Sequence, residues 1–198
     1  MWVAEQTRDR ILDAGIACFA AHGFKGATTR TLAGAAGVNI ATLAYHFGDK
    51  QGLYRAAIDR LYERLLDLQP DPSLLVSGTP RERVANVARF AVRFARDHQT
   101  EVRLLLRHVL EEGQLPAPLR ERWLGELLEQ AQVVRQFLGL AEDPRFRLKL
   151  LAINHLVVRF AITPPEELAP FVDDPATGEA EVEALLVELA QDLLAGPG

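Results

Sequence analysis

Apolar positions recur along this chain at helical spacing, and no stretch of useful length alternates as a strand would. Ile11, Ala14, Ile16, Phe19 and Ala20 form one face of a helix expected over about 7–21, with Gly23 as a left-handed stop. Thr28 or Thr29 can cap a second helix through about Ala36, closed by Gly37, and Asn39 caps a third that runs to about Phe47. Asp49 or Lys50 opens a fourth, in which Leu53, Ala57, Leu61, Leu65 and Leu68 repeat at helical spacing. Further helices are expected near 80–98, 100–112, 117–138, 144–163 and 178–195, about nine in all. The pattern predicts an all-α chain.

Two proline-rich stretches punctuate it. Gln69 to Pro80, QPDPSLLVSGTP, holds three prolines and a glycine and is the best candidate boundary. Thr163 to Gly178 is too rich in proline for one long helix. A division follows into residues 1–52 and 53–198, the second part comprising a connecting helix 53–68, a linker 69–80 and the remaining helices.

Helix 144–163 carries two apolar stripes. Phe146, Leu150, Ile153, Val157, Phe160 and Ala161 form one; Leu148, Leu151, Ala152, His155, Val158 and Ile162 form the other, on the opposite side. A helix apolar on both sides must be covered on both sides. The fold of one chain can cover the first, and a second copy of the chain can cover the other. The last helix adds a narrower seam of Val182, Leu185, Leu186, Leu189 and Leu193.

Composition changes this picture little. The 198 residues are 48% hydrophobic and 25% charged, ordinary for a globular protein with a real core. There is no apolar run long enough to span a membrane, and the N-terminus lacks the core of a secretory signal. Cys18 alone cannot form an internal disulfide, which fits a cytoplasmic location; beside Phe19 it is expected to be a small buried hydrophobe. The net charge of −5 is unevenly spread, with +2 through residue 60 and −7 beyond.

Candidate chemistry is sparse. His108 has Glu111 and Glu112 at helical spacing, but it lies opposite the stripe of Val102, Leu105, Leu106 and Val109, so a solvated position is expected. No metal-ligand spacing, phosphate loop or nucleophile elbow is present, so neither an enzyme nor a cofactor is expected.

The second and third helices, joined by about three residues around Gly37, have the spacing of a helix-turn-helix, whose second helix lies in a major groove. Ile40, Leu43 and Phe47 fall on one side of the third helix, with Ala41, Thr42, Tyr45 and His46 on the other. Residues 8–54 resemble the N-terminal domain of the TetR family of bacterial repressors. The resemblance rests on RDRILDAGIACFAAHGF, on Thr28-Thr29-Arg30 with Leu32-Ala33, and on AAGVNIATLAYHFGDKQGLY. It implies that Thr29 and Thr42 contact phosphates through their hydroxyls. Tyr45 and His46 would flank the groove, and Lys50 would pair with a phosphate beside the fourth helix. Arg30 stands where an arginine reaches either a base or the backbone, and Ala41 lies among the groove-facing positions. Asn39 replaces the usual Ser or Thr and still caps, while Ala44 replaces a frequent aromatic.

Beyond residue 54 the chain is similar to the family only in layout. The resemblance implies a homodimer through the last two long helices, here Leu148, Leu151, Val158, Ile162, Leu185, Leu186, Leu189 and Leu193. It also implies a cavity among the helices of about 80–163 for a lipophilic or amphipathic small-molecule effector, with Phe90, Phe94, Trp123, Asn154, His155 and Arg159 as candidate lining. The expected partner is a palindromic double-stranded DNA operator, released when the effector binds. A regulator that activates or needs its ligand to bind DNA, or a helical interaction protein that has lost DNA binding, are the alternatives.

Overall fold

The computed structural model describes residues 2–66, 71, 73, 76–113, 117–174 and 176–196, the side chains of 2, 3, 65, 66, 112, 117–119, 122–124, 126, 127 and 130 excepted. Residues 69, 70, 72, 74 and 75 of the linker 69–80 and the side chain of Trp123 therefore lie outside the described residues. The helices are α1 (Trp2–Gly26), α2 (Thr29–Ala35), α3 (Ile40–Phe47), α4 (Lys50–Leu66), α5 (Pro80–Asp97), α6 (Gln99–Glu112), α7 (Ala117–Phe137), α8 (Phe146–Ala161), α9 (Pro165–Leu168) and α10 (Gly178–Ala195). A 3₁₀ turn, Ala169–Phe171, follows α9, and no strand occurs among the described residues. The all-α expectation holds, with boundaries within two residues for α5 to α8 and α10. The first helix starts earlier than expected, at Trp2 rather than near residue 7. Its break falls at Gly23, where φ is 68°.

The chain forms two compact units, Met1–Asp67 with Thr100–Trp123, and Leu68–Gln99 with Leu124–Gly198. This differs from a cut near residue 52, since α4 and α6 pack with the helix-turn-helix. The core of the first unit takes Ile11, Leu12, Ile16 and Phe19 from α1, Leu32 and Ala33 from α2, and Leu43 from α3. Leu53, Tyr54, Ala57, Ile58, Leu61 and Tyr62 of α4 and Leu104 of α6 complete it. On the rim, Arg60 and Arg64 of α4 reach Asp9 and Asp13 of α1 at 2.7 and 3.3 Å. Burial, and secondarily Tyr54, pushes the Tyr62 hydroxyl up to about 12. Cys18 is half-buried against this core.

His108 is not on a solvated face. It is 5% exposed, and its Nδ1 lies 3.1 Å from the Tyr54 hydroxyl. The apolar stripe of α6 suggested otherwise because a polar ring opposite a stripe reads as solvent-facing, whereas here α4 supplies a phenol to receive it.

The core of the second unit is built mainly by α5, α8 and α10. Val84, Ala88, Val92 and Ala95 face Ile153, Val157 and Ala161, with Val182, Leu186, Val187 and Ala190 closing it. Thr79 starts α5 with a capping box: its hydroxyl accepts from the Glu82 N–H, and the Glu82 carboxylate accepts from the Thr79 N–H at 2.7 Å. That backbone bond, then the Thr79 hydroxyl, holds the Glu82 carboxyl below the usual carboxylate range. Thr79→Ala should destabilise the second unit by about 1 kcal/mol. A depressed carboxylate stabilises above its unfolded pKa and loses that contribution as pH falls through its folded value. Alanine keeps the backbone N–H and loses only the hydroxyl's smaller share, so urea unfolding should show a slightly smaller difference between wild type and variant in acid than at neutral pH.

Candidate nucleic-acid interface

The turn between α2 and α3 is built by backbone geometry that its sequence demands. Gly37 has φ of 63°, which only glycine adopts freely. The Gly37 N–H donates to the Gly34 carbonyl at 3.1 Å and the Val38 N–H to Ala33 at 3.0 Å, a Schellman closure that turns the chain sharply out of α2. Val38 is then half-buried against the core, as its position after the glycine predicts. Thr28 caps α2 through a capping box with Thr31. This leaves Thr29 half-exposed and Arg30 exposed on the first turn.

Asn39 caps α3, its Oδ1 accepting from the Thr42 N–H at 2.7 Å and from the Thr42 hydroxyl at 3.0 Å. The Asn39 oxygen is thereby committed within the protein, while its amide nitrogen takes no part in the cap. The bond also bears on Thr42. A hydroxyl carries one proton and a phosphate oxygen only accepts, so Thr42 must release Asn39 before it can donate to DNA.

The buried arc of α3 is Thr42, Leu43, His46 and Phe47, with Leu43 deepest. Ile40, expected inward, is 48% exposed at the first turn and joins Ala41, Ala44 and Tyr45 on the outward arc. Tyr45 is 83% exposed, its ring edge-on to His46 at 5.1 Å between centroids. Arg8 of α1 lies over the Phe47 ring at 5.2 Å, a brace for α3 that nothing in the local sequence signals. Of the four positions expected on the outward side, Ala41 and Tyr45 lie there, whereas Thr42 and His46 are half-buried because α3 turns that edge toward the core around Leu43.

Lys50 departs from expectation. Its Nζ donates to the carbonyls of Phe24 at 3.0 Å and Ala27 at 3.1 Å, and lies 4.3 Å from the centroid of the Phe24 ring. A cation at the N-terminus of α4 is unfavourable for that helix, which pointed to a phosphate partner. Within the chain itself, the carbonyls at the end of α1 are its partners.

The expected effector lining is not brought together. Asn154, His155 and Arg159 lie on the exposed side of α8, and Arg159 donates to the Thr163 hydroxyl at 3.0 Å. The reason is packing: α8 turns Phe146, Ile153, Val157 and Ala161 inward, which places the polar residues outward. Phe90 and Phe94 are half-buried and stacked at 6.3 Å, and Phe94 stacks on His98 at 4.0 Å. Two open grooves in the second unit are lined instead by charged and polar residues of α5 and α10, including Arg89, Glu183 and Gln191.

Of the seam residues, Leu148, Leu151, Leu185, Leu189 and Leu193 are exposed and Val158 and Ile162 half-buried. Leu186, 1% exposed, and Val182, 6% exposed, lie instead inside the core of their own unit. Adjacent leucines on one helix cannot share a face, and Leu186 takes the inward register while Leu185 takes the outward one.

A two-helix reading head of this geometry defines a helix-turn-helix DNA-binding protein, and comparison with known proteins agrees. The family model for bacterial regulatory proteins, tetR family, matches residues 11–57. The transcriptional regulatory protein RaaS of Mycobacterium tuberculosis is 31% identical over 148 residues, covering 73% of this chain and 66% of RaaS. The transcriptional repressor AcnR of Corynebacterium glutamicum is 44% identical over 50 residues, a quarter of each chain. The crystal structure of SCO4942 from Streptomyces coelicolor superposes with a TM-score of 0.71 at 24% identity, over 96% of this chain and 99% of that one. The chain belongs to the TetR family and is a DNA-binding transcriptional regulator. Among the described residues no helix is long and apolar enough to cross a membrane.

Proposed function

We propose that this protein is a homodimeric repressor that holds a palindromic operator and releases it on binding a small-molecule effector. The observation that carries the reading is the outward arc of α3. It projects an exposed tyrosine beside alanines from a helix fixed by its own cap and by a buried Leu43. Residues 1–52 act as the reading head. Thr29 and Tyr45 hold the phosphates, with Thr42 joining at the cost of its bond to Asn39 and His46 at the margin of the groove. Ile40, Ala41 and Ala44 offer only methyl and methylene groups, which suit thymine methyls and groove shape. The outward leucines of α8 and α10 form the seam between two chains, since two heads on successive grooves require two copies. Residues 53–198 receive the effector, a lipophilic or amphipathic molecule that favours a dimer with mismatched heads, with α4 as the lever.

Arg30 is the residue that tests how sequence is read. No residue on the outward arc of α3 is Arg, Lys, Asn or Gln, the side chains that make bidentate contacts with bases. An exposed arginine on α2 is then the candidate for a guanine, a contact worth roughly 1–3 kcal/mol of discrimination. Binding-site selection with wild type and Arg30→Ala should show preference flattened at one G·C position per half-site and retained elsewhere. Equal loss of affinity on every sequence, with the preferred motif unchanged, would make Arg30 a phosphate contact.

A further inference from the structure

We infer that Lys50 is a positioning residue of the reading head and not one of its phosphate contacts. The inference rests on the DNA-binding reading above but concerns an interaction made without DNA. The end of α1 explains the geometry. Gly23 breaks the helix, and the chain then makes one further turn, with the Ala27 N–H donating to the Gly23 carbonyl at 3.2 Å. A helix end leaves its last carbonyls without helical partners, and their aligned dipoles favour a cation. Lys50, first residue of α4, places its ammonium on two of those oxygens, Phe24 O and Ala27 O, against the Phe24 ring.

Two carbonyl bonds and one ring contact therefore hold the ammonium. The two carbonyl bonds are charge-assisted and take two of the three N–H donors. The Phe24 ring, itself packed edge-on to Tyr54 at 5.1 Å between centroids, covers one side of the charge. Ala27 is fully buried in the core and is followed at once by Thr28, the cap of α2. A link from α4 to this corner therefore sets where α2 begins, and with it the positions of Thr29 and Arg30. The charge is misplaced for α4 and correctly placed for α1. Only the third N–H is left for any other partner, and the charge behind it is already shared by two carbonyls and the Phe24 ring.

The chain has three lysines, Lys25, Lys50 and Lys149, so chemical labelling reads each one separately. Wild-type protein treated with a small amine-acylating reagent, with and without a long mixed-sequence duplex, gives the first test. Lys50 should label much more slowly than exposed Lys25 in DNA-free protein, with no further slowing when DNA is added. Labelling of Lys50 as fast as Lys25 without DNA, suppressed by DNA, overturns the inference. The second test is Lys50→Met, with binding to the same duplex followed across a salt titration well below the unfolding temperature. Affinity should fall on the order of tenfold while the salt slope stays that of wild type. A slope shallower by about 0.9 per chain identifies a lost phosphate contact and overturns the inference. Unchanged affinity and slope make the bond merely structural and overturn it equally. If Lys50→Met does not fold, the wild-type labelling still decides. If wild type itself binds no duplex, the DNA-binding reading fails, while the labelling of free Lys50 still tests the bond.

Discussion

Gly52→Ala should collapse the α3–α4 corner and abolish DNA binding, the largest effect expected of any single methyl group in the reading head. Gly52 sits in the first turn of α4, its N–H donating to the Asp49 carboxylate at 2.7 Å. Its Cα faces the Phe47 carbonyl so closely that a Cβ would overlap that oxygen. The obstacle is backbone at the end of α3, so relief requires α3 itself to move. Overpacking a well-packed site typically costs about 1–3 kcal/mol, and a rigid backbone atom places this substitution at or above the upper end. Gly34→Ala is the control. Gly34 lies within α2, where a Cβ meets nothing within 4 Å, and alanine in a helix interior should add about 0.5–1 kcal/mol. Thermal unfolding should then move in opposite directions for the two variants. Equal small shifts would mean that the corner is looser than described.

The second large effect concerns assembly. Leu151 of α8 and Leu189 of α10 are exposed within one chain, so glutamate at either position meets water unless a second chain covers it. In a symmetric dimer each substitution enters the seam twice. Burying an unpaired carboxylate costs on the order of several kcal/mol even after relaxation. Leu151→Glu and Leu189→Glu should therefore sediment as folded monomers with an unchanged helical spectrum, and should bind operator weakly through one head. Leu186→Glu should behave differently and unfold the second unit, because Leu186 lies in its own core. Variants of Leu151 and Leu189 that dimerise like wild type would place the seam elsewhere.

The contrast between Leu186 and its neighbours marks what the sequence could carry. Periodicity located the helices, and on α8 it separated the inward stripe of Ile153 and Val157 from the outward one of Leu148 and Leu151. On α10 five apolar positions crowd one arc, and only packing against α5 decides that Leu186 turns inward. The turn at Gly37 was legible because glycine, a following apolar residue and a cap occur in fixed order. The partners of Lys50 were not, since Phe24 and Ala27 receive it through backbone oxygens, which every residue possesses. His108 was misplaced for a related reason: Tyr54, which receives it, lies on another helix, 54 residues away. Asn154, His155 and Arg159 were assigned to a cavity because polar residues in an apolar helix invite a ligand, yet a helix with one buried stripe simply leaves them outside. Within the reading head, the exposed Tyr45 and Ala41 followed from the helical wheel, whereas the bond from Thr42 to Asn39 depends on a rotamer no spacing reveals.

Selection from a random-sequence duplex library with the wild-type chain tests the central claim most directly. A dimer reading through two copies of α3 should enrich a motif with two-fold symmetry, its half-sites centred about one helical turn apart, roughly 34–36 Å. Half-sites should be rich in A·T steps, as an outward arc of alanine and isoleucine beside Tyr45 requires. Recovery of no enriched sequence, or of an asymmetric motif bound by a single chain, would contradict the account.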